Sequence, residues 1–236
     1  MNFKIALAAT VALVAPAAFA QNAQQILEGA RVSATLTQVE DGLTGKLNGK
    51  TPIVLFLRGK DIQFQFDEGK GWEKFHMRLS DSSYDLFELK DEKTFKFPDS
   101  KITQSIAGTD LTYEDLALRF FYWPNPTLEG QEEIGGRAAY KLRVNKPKGT
   151  TGRYDTVYIW VDAKFGAFMQ IRGFNNSKLL KEFKVEDVME IGGGVWTLKK
   201  MQVSSYDGEV GKERRTSVTS VTFDTPKKAG PKGLRK

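Results

Sequence analysis

The chain has no cysteine and a single histidine, His76, among its 236 residues. Without cysteine there are no disulfides, no thiolate metal ligands, no thiol nucleophile and no lipid-attachment cysteine after an export signal. With one histidine there is no two-histidine zinc site. His76 alternates with Trp72, Lys74 and Arg78, opposite Phe75, Met77 and Leu79, which reads as a solvent-facing strand position rather than the base of a hydrolase triad. Beyond the first twenty residues no segment has the ~20 apolar residues of a membrane span. Stability must come from burial alone, and the length suits one domain.

The apolar run that is present sits at the start. Lys4 precedes Ile5 to Ala15, and Pro16 leads to the small-residue site Ala18-Phe19-Ala20. This is the pattern of a secretory signal over residues 1–20, cut before Gln21. Removing Lys4 lowers the formal charge from +6 to +5, and the last twelve residues, TPKKAGPKGLRK, supply five cations. The body, residues 21–224, is therefore nearly neutral, and residues 225–236 read as a disordered, solubilising tail. No aromatic residue interleaves the tail's charges, as nucleic-acid binding or lipid insertion would favour. Weak attraction to an anionic membrane is the alternative.

Period-two patterning dominates the body. RVSATLTQV, TPIVLFLRG, DIQFQF and GWEKFHMRLS read as strands, with Ile62, Phe64 and Phe66 on one side of the third. AAYKLRV, YDTVYIWVD, FMQIRGF, LLKEFKVEDV, VWTLKKMQVSSYD and RRTSVTSVTFD add six more, separated by short turns. Connections this short demand antiparallel pairing, because parallel strands need crossover helices. In YDTVYIWVD, Tyr154, Tyr158 and Trp160 share one face and Val157, Ile159 and Val161 the other. Apolar bulk on both faces predicts that both are covered.

Only two stretches read as helix. NAQQILEGA carries an apolar stripe of Ala23, Ile26, Leu27 and Ala30. In TYEDLALRFFYWP, Thr112 is the expected N-cap with Asp115 at the third helical position, and Pro124 stops the helix. Tyr113, Leu116, Ala117, Phe120 and Phe121 then form an apolar face, while Asp115 and Arg119 are placed to pair on the solvent side. A long antiparallel sheet with two short helices predicts a mainly β fold, a curved sheet with helices over its concave face.

The elements GTDLTYEDL, GQEEIGGRAAYKLRV, YDTVYIWVD and VWTLKKMQV together resemble the LolA-like family of outer-membrane lipoprotein-sorting proteins. The likeness covers most of the chain after residue 20 and is most specific from Asp110 to Val203. The motif residues Gly108, Asp110, Tyr113, Glu114, Asp115 and Leu116 carry it. The resemblance implies an unclosed antiparallel β-barrel covered by helices, with a hydrophobic interior. It implies a periplasmic carrier of lipid or lipoprotein acyl chains, with an inner-membrane transporter and an outer-membrane acceptor as partners. No nucleic acid and no cofactor are implied, and the expected state is a monomer. Tyr113, Leu116, Phe120, Phe121, Tyr122, Trp123, Tyr158 and Trp160 are the candidate cavity and lid residues. The alternative reading of Tyr113 to Phe121 is that this face simply fills the core.

Two other classes remain to be weighed. An enzyme would rely on carboxylates such as Asp110, Glu114, Asp115, Glu129, Glu132 and Glu133, but capping and solubility account for them, and no catalytic or metal-binding residue is expected. The GG and GGG elements join strands, whereas phosphate loops pass from strand to helix. An adaptor without its own cargo would display the Phe120 to Trp123 cluster as a flat patch for a transporter, whereas a carrier would bury it.

Overall fold

The computed structural model describes residues 15–35, 39–58, 60–67, 69, 71–80, 83–91, 93–192 and 194–226, with the side chains of the first helix described from Ala23. The first fourteen residues of the expected signal and residues 227–236 of the tail lie outside the described residues.

One antiparallel sheet of 13 strands makes the fold. Helix α1 (Ala15–Thr35) comes first, followed by β1 (Val39–Leu47), β2 (Thr51–Arg58), β3 (Asp61–Asp67), β4 (Trp72–Leu79), β5 (Tyr84–Lys90) and β6 (Lys93–Lys96). A segment containing the short helix α2 (Tyr113–Leu116) leads to β7 (Thr127–Ile134), β8 (Arg137–Asn145), β9 (Thr156–Asp162) and β10 (Phe168–Asn175). β11 (Lys178–Gly192), β12 (Val195–Asp207) and β13 (Arg214–Phe223) complete it. The strand order is β6-β5-β4-β3-β2-β1-β13-β12-β11-β10-β9-β8-β7. Two meanders are thus joined where β1 pairs β13, and β6 and β7 form the two edges of an unclosed sheet. The short turns permit nothing but hairpins between neighbours.

The alternation read from the sequence places the core. Leu55 and Leu57 on β2 stand opposite Phe64 and Ile62 on β3, and Phe64 and Ile62 stand opposite Phe75 and Met77 on β4. Leu142, Val157, Ile159, Ile171, Phe183, Val203 and Val221 continue the same buried layer across the second meander. No described helix is long and apolar enough to cross a membrane.

Several expectations are corrected. Residues 31–35 of RVSATLTQV, read as strand, end helix α1 instead. Ala23, Leu27 and Ala30 are buried there and Ile26 is half-buried, so packing of this apolar stripe over β7, β8 and β9 overrides the local alternation. The second predicted helix breaks after Leu116, because Leu118 is left-handed (φ 46°, ψ 41°) and Arg119–Tyr122 forms a separate 3-10 turn. His76 faces away from the core but is not solvent-facing. Its Nε2 lies 2.9 Å from Asp61 Oδ1 and its ring packs against Phe87. Tyr154 leaves the face of Tyr158 and Trp160 and enters the core, since it precedes the regular part of β9.

Candidate functional site

The connection from β6 to β7, residues 97–126, runs from one open edge of the sheet to the other and covers the core face between them. Phe97, Ile102, Ile106, Leu111, Tyr113, Ala117, Phe120, Phe121 and Trp123 are all buried in the main core. Its aromatic rings reach both meanders. Tyr113 lies 5.4 Å from Phe75 and 6.1 Å from Phe66 between ring centroids, on the first meander. Phe121 lies 6.0 Å from Phe168 and Phe120 6.4 Å from Phe183, on the second. Tyr122, half-buried, packs on Tyr84 of β5 and under the guanidinium of Arg31 on α1. Leu116 is half-buried against the same core.

Of the eight proposed cavity residues, the fold brings together Tyr113, Leu116, Phe120, Phe121, Tyr122 and Trp123. It does not bring Tyr158 or Trp160 to them. Those two alternate with the core residues Val157, Ile159 and Val161 and so lie on the outer face of β9. Trp160 is covered there by side chains: its Nε1 donates to Glu132 at 2.8 Å, and Lys141 and Arg172 lie 5.3 and 5.5 Å from its ring. A charged side-chain layer, rather than a helix, explains the apolar bulk on both faces of this strand.

The stretch from Gly108 to Leu116 is a latch that ties the crossing segment to the second meander. Thr112 and Asp115 form the expected capping box around α2. Asp115 does not pair with Arg119 in solvent. It is buried, its Oδ2 lies 2.5 Å from Lys181 Nζ on β11, and its Oδ1 accepts from the Tyr154 hydroxyl at 2.7 Å. Arg119 instead donates to Tyr84 Oη and to Thr151 O. Lys181 also donates to the carbonyl of Asp110, at 2.5 Å. The Asp110 carboxylate accepts from the hydroxyls of Ser205, Ser217 and Thr219 on β12 and β13. Gly108 adopts φ 63° at the start of the motif, beside Ala107 at φ 52°. That conformation suits glycine and strains the alanine.

Glu114 is buried as well. Its Oε2 accepts the Arg153 N–H at 2.8 Å and its Oε1 has no hydrogen-bond partner. Burial, reinforced by the neighbouring Asp115 carboxylate, pushes the Glu114 carboxyl above its ordinary range. Burial likewise raises the Tyr154 hydroxyl well above its ordinary value. Tyr154 donates to Asp115, and Lys181 donates to both Asp115 and the Asp110 carbonyl, so the cluster holds the segment in place. The other carboxylates named above serve the sheet: Glu129 pairs with Arg143 and Glu132 with Lys141.

Sequence reasoning missed Lys181, Tyr154, Ser205, Ser217 and Thr219. A signal was available for Lys181, which alternates in phase with Leu179, Phe183 and Val185. A lysine on an otherwise apolar strand face calls for a buried acid. Nothing comparable marked the three hydroxyls.

A protein-family model described as "Uncharacterized protein" matches residues 80–229. No curated protein matches the chain. The fold is similar to three solved structures. A DUF1329 family protein from Desulfovibrio piger aligns at 16% identity and TM-score 0.63, covering 87% of this chain and 91% of that one. A structure described as a putative outer membrane lipoprotein-sorting protein domain, from Vibrio parahaemolyticus, aligns at 11% and 0.62, covering 86% and 91%. A LolA superfamily protein from Nitrosomonas europaea aligns at 16% and 0.58, covering 86% and 91%. The chain belongs to the DUF1329-like family of that model, and its unclosed, helix-covered antiparallel sheet is the LolA-like fold.

Proposed function

We propose that the protein is a periplasmic carrier that takes up acyl chains of lipids or lipoproteins beneath the crossing segment and moves them toward the outer membrane. The observation that carries this reading is that the aromatic cover of the core joins the two free edges, β6 and β7, without pairing with either sheet half as a strand. Lifting it breaks side-chain contacts and the latch, but no strand ladder. Left-handed Ala107 and Leu118 bracket its motif and are the natural hinges.

The energetics suit exchange. An acyl chain of about sixteen carbons gains about 12 kcal/mol on leaving water, at ~0.8 kcal/mol per methylene. Exposing four to six buried side chains costs about the same, at roughly 1.5–3 kcal/mol each. A near balance lets cargo both enter and leave. Tyr113, Leu116, Phe120, Phe121, Tyr122 and Trp123 are the proposed contacts.

Residues 1–20 are proposed as the removed signal and 21–224 as the carrier domain. The stripe of Ala23, Ile26, Leu27 and Ala30 follows Gln21 in the sequence, so cleavage before Gln21 leaves those four residues in the carrier. Transfer from an inner-membrane transporter to an outer-membrane acceptor, by a monomer without cofactor, completes the reading. Burial of Phe120, Phe121 and Trp123 favours a carrier over an adaptor that displays them.

Native mass spectrometry of the protein purified from its host's envelope tests this. An ejected lipid or acylated peptide is the expected result. A bare protein mass, with no uptake of a fluorescent fatty acid by the folded chain, would sink it.

A further inference from the structure

The connection from β8 to β9, residues 146–155, reaches over to the crossing segment. From Lys146 to Arg153 none of its residues is buried. Its tip is held by Glu114, whose Oε2 accepts the Arg153 N–H at 2.8 Å, and by Arg119, whose Nη1 donates to Thr151 O at 3.0 Å. Asn175 Nδ2 donates to Arg153 O at 2.7 Å, and Lys146 Nζ donates to Gly152 O at 3.0 Å from within the loop. Arg119 also donates to Tyr84 Oη on β5 at 2.5 Å, so one guanidinium joins a strand of the first meander to a loop of the second. A loop tip without buried side chains costs little to lift beside the buried aromatic rings of the crossing segment.

Beneath the tip lies Glu114, 1% exposed, whose Oε1 has no hydrogen-bond partner among the described residues. That oxygen faces Gly152, where a Cβ would collide with it and where φ is 142°, a conformation that suits glycine. Bare backbone is thus pressed onto a carboxyl group. Holding the Arg153 N–H needs only an oxygen, which a neutral amide would supply, whereas a carboxyl adds a proton that can leave. Ionised and half-paired in this place the group is costly, and lifting the loop returns it to water. The groups that face it pull both ways. Burial and the Asp115 carboxylate favour the neutral acid, while the Arg153 N–H, Arg119 and Lys146 favour the charge, and burial prevails. The hydroxyls of Tyr84 and Tyr154, the remaining titratable neighbours, are both raised by burial and stay neutral.

We propose that the β8–β9 loop is a flap over the crossing segment whose closure is set by the proton on Glu114. With the proton on Oε1 the flap stays down over Glu114. When the proton leaves, the flap lifts at Thr151 to Arg153 and water reaches the carboxylate. The closed form holds the proton more tightly than the open form does, so closure is complete below the ordinary glutamate value and weakens as pH rises through the closed-state value. The proposal goes beyond the carrier reading and stands without it, because the linkage needs no cargo.

Amide hydrogen exchange followed by NMR, on the protein as its host processes it and from about pH 4 to about pH 8, tests the proposal. Protection of the Arg153 amide, corrected for the intrinsic pH dependence of exchange, is expected to fall by up to about tenfold per pH unit, the ceiling for one proton, and then to level off. The amides of β9 should keep their protection, and Glu114→Gln should keep Arg153 protected throughout. Constant protection in the wild type, an equal fall in β9, or the same fall in the Gln variant would overturn the proposal. Should Glu114→Gln fail to fold, the carbon shift of the wild-type Glu114 carboxyl decides instead. It must titrate where the protection levels off, and a mismatch overturns the proposal as well. Mass spectrometry of bound cargo is a separate readout, so failure of the flap and failure of the carrier reading are told apart.

Discussion

Lys181 Nζ on β11 lies 2.5 Å from Asp115 Oδ2 on α2, and the two side chains are 2% and 0% exposed. A pair so withdrawn from water adds little net stability compared with an apolar pair of the same shape, but removing one member strands a buried charge. Lys181→Met or Asp115→Asn alone is expected to cost about 3–5 kcal/mol in urea denaturation. The double variant should cost clearly less than the sum. Additive losses would mean that the two groups do not act as a unit.

Glu114 makes stability depend on pH in the direction opposite to an ordinary paired carboxylate. Its carboxyl is raised by burial, so the folded protein holds that proton more tightly than the unfolded chain does. The contribution is fully present below the unfolded glutamate value and is lost as pH rises through the raised folded value. Glu114→Gln keeps an oxygen for the Arg153 N–H and removes the titration. The urea midpoint of the wild type should fall relative to the Gln variant as pH rises from about 4 toward neutrality. Parallel curves would rule out a raised carboxyl at this position.

Gly173 on β10 backs onto Tyr154, and a Cβ there would come 2.5 Å from two of its ring carbons. The ring has no retreat, because its hydroxyl is held by Asp115 and its body is buried. Gly173→Ala is expected to lose about 1–3 kcal/mol. Combined with Tyr154→Ala, the glycine substitution should add little further loss, which denaturation of the four proteins would measure.

Exposure separates two aromatic residues that look alike in the sequence. Phe120→Ala should cost about 3–5 kcal/mol, as for a fully buried ring. Trp196→Ser should stay within about 0.5 kcal/mol, as for a surface change. Similar losses at both sites would mean that Trp196 is packed rather than displayed.

The strands that alternate cleanly, such as DIQFQF and GWEKFHMRLS, were legible because side chains of period two declare one wet and one dry face. RVSATLTQV was misread because its alternation is weaker evidence than the packing of a helix over β7 to β9, which local sequence does not contain. β1, β5, β6 and β7 went unread. β6 and β7 are edge strands and mostly exposed, as in the KTFK of β6, while β1, among its described side chains, sends only Leu43 and Leu47, four residues apart, fully into the core and β5 breaks its Tyr84 and Leu86 face with Glu88. Tyr113 and Phe120 were legible as one apolar stripe, but the break at Leu118 was not, since nothing in a leucine predicts φ of 46°.

By itself the sequence determined the antiparallel meanders, the capping box at Thr112 and Asp115 and the apolar character of the segment that follows, because these depend on neighbours a few residues apart. Tertiary structure alone decided that Asp115 meets Lys181 and that Asp110 collects three hydroxyls from β12 and β13. Those partners lie 66 to 109 residues away from Asp115 and Asp110 along the chain. Pairing a buried charge is a property of the space between strands, which no local pattern of residues encodes.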